Sequence, residues 1–304
     1  MKMKFKSSIR AACHSFGGAV CAGAFLLLAS STQAQNLFVA DFSNNSIEIF
    51  NSSGSESVFA NSGLDGPMGL AFDNAGNLYV GNWYNNTIVK YNTAGQYSVF
   101  AGSGLNNPRG LACDANGNLY VANYNGDDVI EFNAAGQSRV FASGINQPTG
   151  LAFDGQGNLY VADRSDQILK YNSSGQGTVF ASTGSTGPGP EGLAFDGAGN
   201  LYVANYWNNA IYKFNPSGNG GIWASTGGGY NNPFGLAYAN GTLYASCNVN
   251  EIEAFDANGN GSFFASTQNG PWFMAFQPVP EPSVLGLLAV GAAAVLGRCR
   301  RHKA

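Results

Sequence analysis

The strongest constraint on this chain is that one unit is written six times. A Leu-Tyr-Val-type step recurs at Leu37, Leu78, Leu119, Leu159, Leu201 and Leu243, at spacings of 41, 41, 40, 42 and 42 residues. Self-similarity at this period marks an array in which each copy is one supersecondary unit. In the second copy Gly69-Leu70-Ala71-Phe72-Asp73 leads through a Gly-Asn turn to Leu78-Tyr79-Val80-Gly81-Asn82. Ile88-Val89-Lys90-Tyr91, a turn at Gly95 and Val99-Phe100-Ala101 follow. Each segment is a short run of β-branched, aromatic or alternating residues bounded by Gly, Asn, Ser or Pro, which is strand chemistry, four strands per unit. The 42 glycines, 13% aromatic and 11% charged residues of the 304-residue chain suit short strands and tight turns, and leave little room for long helices in the middle.

A lone four-stranded unit of about 41 residues cannot bury both of its faces. Stacking six around an axis covers each sheet with its neighbours and turns Leu, Val, Phe and Tyr into inter-blade core. The expected fold is all-β, a six-bladed β-propeller of four-stranded blades over residues 35–278. The first copy starts at its second strand, Leu37 to Phe42, and the array ends in a first-strand equivalent, Trp272 to Phe276. The C-terminal strand is therefore expected to complete the N-terminal blade and close the ring.

Charge and rare residues narrow the chemistry. Lys2, Lys4, Lys6, Arg10, Arg298, Arg300, Arg301 and Lys303 lie in the two ends, which leaves the central region six bases against 17 of the 18 acids, a formal charge of −11 beneath the whole-chain −4. Such a surface repels nucleic acid and anionic lipid. Both histidines, His14 and His302, also lie in the ends, so the centre has no imidazole for a His-based triad, a general base near neutral pH or a zinc site. Cys13, Cys21 and Cys299 fall in the ends as well. Cys113 and Cys247 remain, about three blades apart and in different places of the repeat, so no bridge is expected between them.

The ends read as addresses. Residues 1–34 have a basic start, an apolar stretch from about Gly17 to Ala29, and Thr32-Gln33-Ala34 with a small residue before the cut, the layout of a secretory signal peptide cleaved after Ala34. Residues 279–304 run from Val279-Pro280-Glu281-Pro282-Ser283 through the uncharged stretch Val284 to Gly297 into a basic tail. Fourteen residues make a short span where about 20 are usual. The basic tail would stay cytoplasmic and hold the domain outside the inner membrane. This order of Pro-Glu-Pro, apolar helix and Arg-rich terminus resembles the PEP-CTERM sorting signal of Gram-negative bacteria. The resemblance implies processing at Pro280, Glu281 and Pro282 by an exosortase, a membrane cysteine transpeptidase, and association with exopolysaccharide production. The expected location is membrane-anchored and facing the periplasm before processing, then the outer envelope or outside the cell.

The pattern Pro-x-Gly-Leu-Ala-Phe-Asp, then Gly-Asn-Leu-Tyr-Val-Ala-Asp or Asn, then Ile-x-Lys-Tyr resembles the NHL repeat, a six-bladed propeller unit, over about residues 36–277. It departs in the last two blades, where Ala239, Gln277 and Cys247 replace the usual acid or amide, and less regular blades are expected there.

One face of a propeller is built from the loops entering the first strand and those between the second and third. The residue after each Pro is the least repeated of the unit: Met68, Arg109, Thr149, Glu191, Phe234 and Trp272. These six are expected to ring the axial mouth as a site tuned blade by blade, unless the position is merely exposed and free to drift; Arg109 and Glu191, its only charges, could pair. Phe42, Trp83, Tyr84, Tyr124, Tyr206 and Trp207, at the exit of the second strand on the same side, suit stacking on sugar rings or apolar partner groups, or else blade-edge packing. The repeated Asp41, Asn82, Asn123, Asp163 and Asn205 are read as turn-capping groups. Asp73, Asp114, Asp154 and Asp196 take that role on the opposite face. Glu191, with Asp163 and Asn205 if they lean inward, gives a weak candidate set for Ca²⁺ or another divalent ion.

Two functional classes follow. The favoured one is a non-catalytic recognition or scaffold module of the envelope or its exopolysaccharide. The alternative is a divalent-metal-dependent lactonase-like hydrolase, since regucalcin and gluconolactonase have a similar six-bladed architecture. Resemblance to the streptogramin-cleaving lyase propellers would imply an active-site histidine, which this domain lacks.

Overall fold

The computed structural model describes residues 35–278 apart from 186, 188 and 228–230. The export segment at 1–34 and the sorting segment at 279–304, with Pro280, Glu281 and Pro282, lie outside the described residues. Among those described, no helix is long and apolar enough to cross a membrane.

Twenty-four strands form six antiparallel four-stranded sheets. Blade 1 pairs Leu37–Asp41 with Ser46–Phe50 and Glu56–Ala60, and takes its innermost strand, Pro271–Phe276, from the other end of the array. Blades 2 to 6 start at Pro67–Phe72, Pro108–Cys113, Leu151–Phe153, Pro190–Phe195 and Pro233–Ala239, and each is a simple meander outward. The closing register is Leu37↔Phe276, Phe38↔Ala275 and Val39↔Met274. The innermost strands of neighbouring blades touch all the way round the axis, so the ring is closed as the offset of the repeats predicts.

The sequence pattern explains the packing. Second strands such as Leu78–Asn82 and Leu201–Asn205 are buried at every position because a blade lies against each face. The aromatic residue of each Leu-Tyr-Val step meets the outer strand of its own blade and the first strand of the next. Tyr160 packs edge-on to Phe180 and Phe195 at 4.9 Å each, and Tyr120 repeats this with Phe141 and Phe153 at 5.0 Å. Between blades 2 and 3 the Phe of the first strand is replaced by Cys113, which packs against the same cluster as Tyr79. Cys113 and Cys247 are both free thiols.

The Pro-x-Gly glycines serve the axis. A Cβ on Gly69, Gly110, Gly150, Gly192 or Gly235 would lie 2.0, 2.2, 2.0, 2.4 or 2.3 Å from the carbonyl oxygen of Arg109, Thr149, Glu191, Phe234 or Trp272 in the next blade. Only the missing side chain lets the innermost strands approach this closely.

Blade 6 departs from the pattern in a regular way. With Ala239 in place of the turn acid, the hairpin shortens to Asn240-Gly241, both in the left-handed region at φ 51° and 84°. That is the two-residue turn whose twist matches antiparallel strands.

Candidate functional site

In blades 2 to 5 a repeated backbone tie fixes the exit of the second strand. The N–H of Trp83 donates to the Gly66 carbonyl at 2.9 Å, Tyr124 to Asn107 at 3.2 Å, Arg164 to Asn146 at 3.0 Å and Tyr206 to Gly189 at 2.9 Å. The residue that leaves the second strand is thereby stapled beside the Pro-x-Gly approach. Side chains at the strand end finish the job. The Asn82 Oδ1 accepts from the Asp65 N–H at 3.1 Å while its amide donates to Gly63 and Thr87. Asp41 accepts from Asn44 and from the N–H of Asn269, which belongs to the approach to the closing strand. Asn123, Asp163 and Asn205 hold loop groups in the same way.

The residues after the prolines meet at the axis, but they fill it and do not line an open mouth. Met68, Arg109, Thr149, Glu191 and Phe234 are buried, and Trp272 is half-buried. The Thr149 hydroxyl donates to the Pro190 carbonyl at 2.9 Å. Arg109 and Glu191 form an ion pair at 2.7 Å with both side chains buried. Burial pushes the Glu191 carboxyl upward, opposed by the charges of Arg109 and Arg164, and pushes Arg109 downward against the pull of Glu191. Variation among the six copies has a packing reason: six different side chains share one small volume.

Two members of this plug, Phe234 and Trp272, continue into an array of rings at that end of the axis. Tyr84, Phe42, Trp272, Phe234 and Tyr206 form a continuous arc, with successive centroids 5.2, 5.8, 4.2 and 4.9 Å apart. Trp83 and Tyr124 form a second group at 5.3 Å. Arg109 joins the two, its guanidinium 5.0 Å from the ring of Trp272 and 5.0 Å from that of Tyr124. Tyr84 is 62% exposed and Phe42, Trp83, Tyr206 and Trp272 are half-buried, whereas Phe234 and Tyr124 are buried, so Tyr124 packs at the blade edge and is not an open rim position. Of the expected rim, Trp207 alone makes no ring contact among the described residues; 55% exposed, it lies over Gly187.

One member of this face was not expected. Arg164 holds in blade 4 the place that Phe42, Trp83, Tyr124 and Tyr206 hold in their blades, directly after the strand-end Asp or Asn. Its guanidinium sits 5.6 Å from the Tyr124 ring centroid and donates to the Tyr124 hydroxyl. The register alone, followed without regard to residue type, would have found it.

The three candidate metal ligands are engaged elsewhere: Glu191 by Arg109, Asp163 by the N–H groups of Ser165 and Asn146, and Asn205 by Thr183 and Trp207. Among the described residues, no three His, Cys, Asp or Glu side chains form a group that could hold a metal ion. What the face presents is half-buried and exposed ring surface, polar loop groups and the Arg164 guanidinium, while the Arg109 guanidinium is buried beneath it.

Fold and face together define a six-bladed β-propeller whose sequence-variable positions gather at one end of its axis. Residues 278–301 match the PEP-CTERM protein-sorting motif, which implies an exported protein handled by an exosortase-type enzyme through a C-terminally membrane-anchored precursor. No curated protein matches the chain in sequence. Among solved structures, it is similar to a chain of a nidogen/laminin complex, at 21% identity and TM-score 0.73 over 81% of this chain and 99% of that one. It is also similar to virginiamycin B lyase from Staphylococcus aureus, at 16% identity and TM-score 0.63 over 80% and 88% of the two chains. A gluconolactonase from Xanthomonas campestris gives 17% identity and TM-score 0.60 over 80% and 88%. At these identities the likeness is one of fold.

Proposed function

We propose that the protein is an exported, non-catalytic NHL-type propeller that binds a saccharide of the cell envelope or its exopolysaccharide on the aromatic end of its axis. In this reading the signal peptide is removed after Ala34 and the exosortase-type enzyme acts at Pro280, Glu281 and Pro282. The observation that carries the reading is the arc from Tyr84 through Phe42, Trp272 and Phe234 to Tyr206, joined by Arg109 to Trp83 and Tyr124. Flat ring faces beside polar loops suit the apolar faces of sugar rings, whose hydroxyls then meet the surrounding amides. The domain's lack of histidine and the pairing of Glu191 with Arg109 favour binding over hydrolysis.

Migration of the full-length protein through native gels cast with and without the producing organism's exopolysaccharide tests this. Retardation is expected, and Tyr84→Ala combined with Trp83→Ala should weaken it about tenfold or more, since each lost stacking partner removes about 0.5–1.5 kcal/mol. Unchanged retardation in the double variant would move binding off this face. The lactonase-like alternative requires Glu191 to leave Arg109 for a metal ion. It predicts a saturable rise in melting temperature with Ca²⁺, reversed by EDTA and lost in Glu191→Ala; the present reading predicts no such rise.

A further inference from the structure

Among the described residues the acidic domain has six bases, and five of them lie against a carboxylate. Lys90 reaches Asp73 at 3.5 Å, Lys170 reaches Asp154 at 3.4 Å, Lys213 reaches Asp196 at 3.7 Å, Arg109 reaches Glu191 at 2.7 Å, and Arg139 pairs with Glu131. Arg164 is the exception. It has no carboxylate within ion-pair distance, and its Nε is buried without a hydrogen-bond partner. The acids beside it in sequence do not serve it: Asp163 accepts from Ser165 and Asn146, and Asp166 from Ser182, Thr183 and Ser185. Arg164 and Arg109 lie against the same Tyr124 ring, so two guanidinium groups converge there with one carboxylate, Glu191.

We infer that the aromatic face selects an acidic saccharide, with Arg164 binding the carboxylate of a uronic-acid unit while the half-buried Trp83 takes the sugar ring beside it and the buried Tyr124 holds Arg164 in place. This rests on the saccharide-binding reading above and specifies its ligand. The placement fits the chemistry. A guanidinium fork matches a carboxylate in two parallel hydrogen bonds, and a lysine would not. Tyr124 holds the fork by a ring contact and a hydroxyl, which orients it without neutralising it. The domain as a whole, at −11, gives an anionic polymer no general attraction, so recognition rests on this local group and not on overall charge.

The test uses the full-length protein at about 0.15 M salt, where charges on the surface beyond roughly 8 Å are screened. Affinity for a hexagalacturonate is compared by calorimetry with affinity for its fully methyl-esterified form, which keeps the rings and removes the charge. The acidic ligand is expected to bind about tenfold tighter, the worth of one charge-assisted hydrogen-bonded contact. Arg164→Gln should bring the two affinities within about twofold of each other, the acidic ligand losing more than the neutral one. Trp83→Ala should weaken both alike. Equal binding of the two ligands by the unaltered protein, or an unchanged preference in Arg164→Gln, overturns the acidic selectivity and leaves the saccharide platform standing. Failure of both ligands to bind, or full binding in Trp83→Ala combined with Tyr84→Ala, overturns the platform and the selectivity with it.

Discussion

A methyl group on Gly150 would lie 2.0 Å from the Glu191 carbonyl oxygen, a backbone atom that cannot step aside, whereas one on Gly155 would meet nothing within 4 Å. Gly150→Ala is therefore expected to cost about 1–3 kcal/mol or more, seen as a lowered melting temperature, and Gly155→Ala to cost little. The axial ion pair makes a second residue-level prediction. Arg109→Met leaves Glu191 buried without its hydrogen-bonded partner and should cost about 3–5 kcal/mol in denaturant unfolding, while Arg109→Met with Glu191→Leu should recover most of it. A third concerns Glu48, which is buried at a place where blades 2, 3 and 4 carry Val89, Ile130 and Leu169. Burial, a hydrogen bond with Asp41 and the charges of Glu56 and Asp41 push its carboxyl up to about 8. The folded value lies above the unfolded one, so this contribution to stability is complete below the ordinary carboxylate range and is lost as pH rises through about 8. Melting temperatures from pH 6 to 9.5 should fall for the unaltered protein and fall less for Glu48→Gln; parallel curves would remove Glu48 as the cause.

At the scale of elements, the turns between first and second strands share one device. In the Asp154 turn the carboxylate accepts from the N–H groups of Gln156 and Asn158 at 2.9 Å each and from the Asn158 amide at 2.8 Å, and Lys170 lies 3.4 Å away. The same set recurs at Asp73 and Asp196. Burial works to raise these carboxyls, but the hydrogen bonds and lysines outweigh it and hold all three below the usual range. Their stabilisation is therefore present above the unfolded carboxylate value and is lost as pH falls through the lower folded values. Asp154→Ala should cost about 1–2 kcal/mol near neutrality, with the difference from the unaltered protein shrinking in acid. These turns were legible because Asp, Gly and Asn recur at fixed offsets. The shortened Asn240-Gly241 hairpin is not legible in that way, since Ala239 removes the acid that marks the other turns and Asn-Gly builds a different regular turn.

At the scale of the whole molecule, the sequence carried the ring and its closure. Leu37 opens the array one strand late, Trp272 to Phe276 supplies the missing strand, and six copies of one pattern allow no other partner for it. The floor of the site was harder to read. Met68, Arg109, Thr149, Glu191, Phe234 and Trp272 differ from copy to copy, which resembles an exposed position under selection for a ligand. Around a shared axis it equally describes six side chains that must fill one core together, and burial decides for the core at five of them. Arg164 carries no signal by residue type, because its equivalents Phe42, Trp83, Tyr124 and Tyr206 are aromatic. The measurement that bears most directly on the saccharide-binding face is tryptophan fluorescence during saccharide titration, since Trp83 and Trp272 lie in that face whereas Trp223 packs between Tyr202 and Phe255 in the core. With Trp207, the exposed tryptophan on the same side, replaced by Phe throughout, the account predicts a saturable spectral change that survives Trp223→Phe and disappears in Trp83→Phe combined with Trp272→Phe. A change that follows Trp223, or one that persists when both face tryptophans are gone, would contradict it.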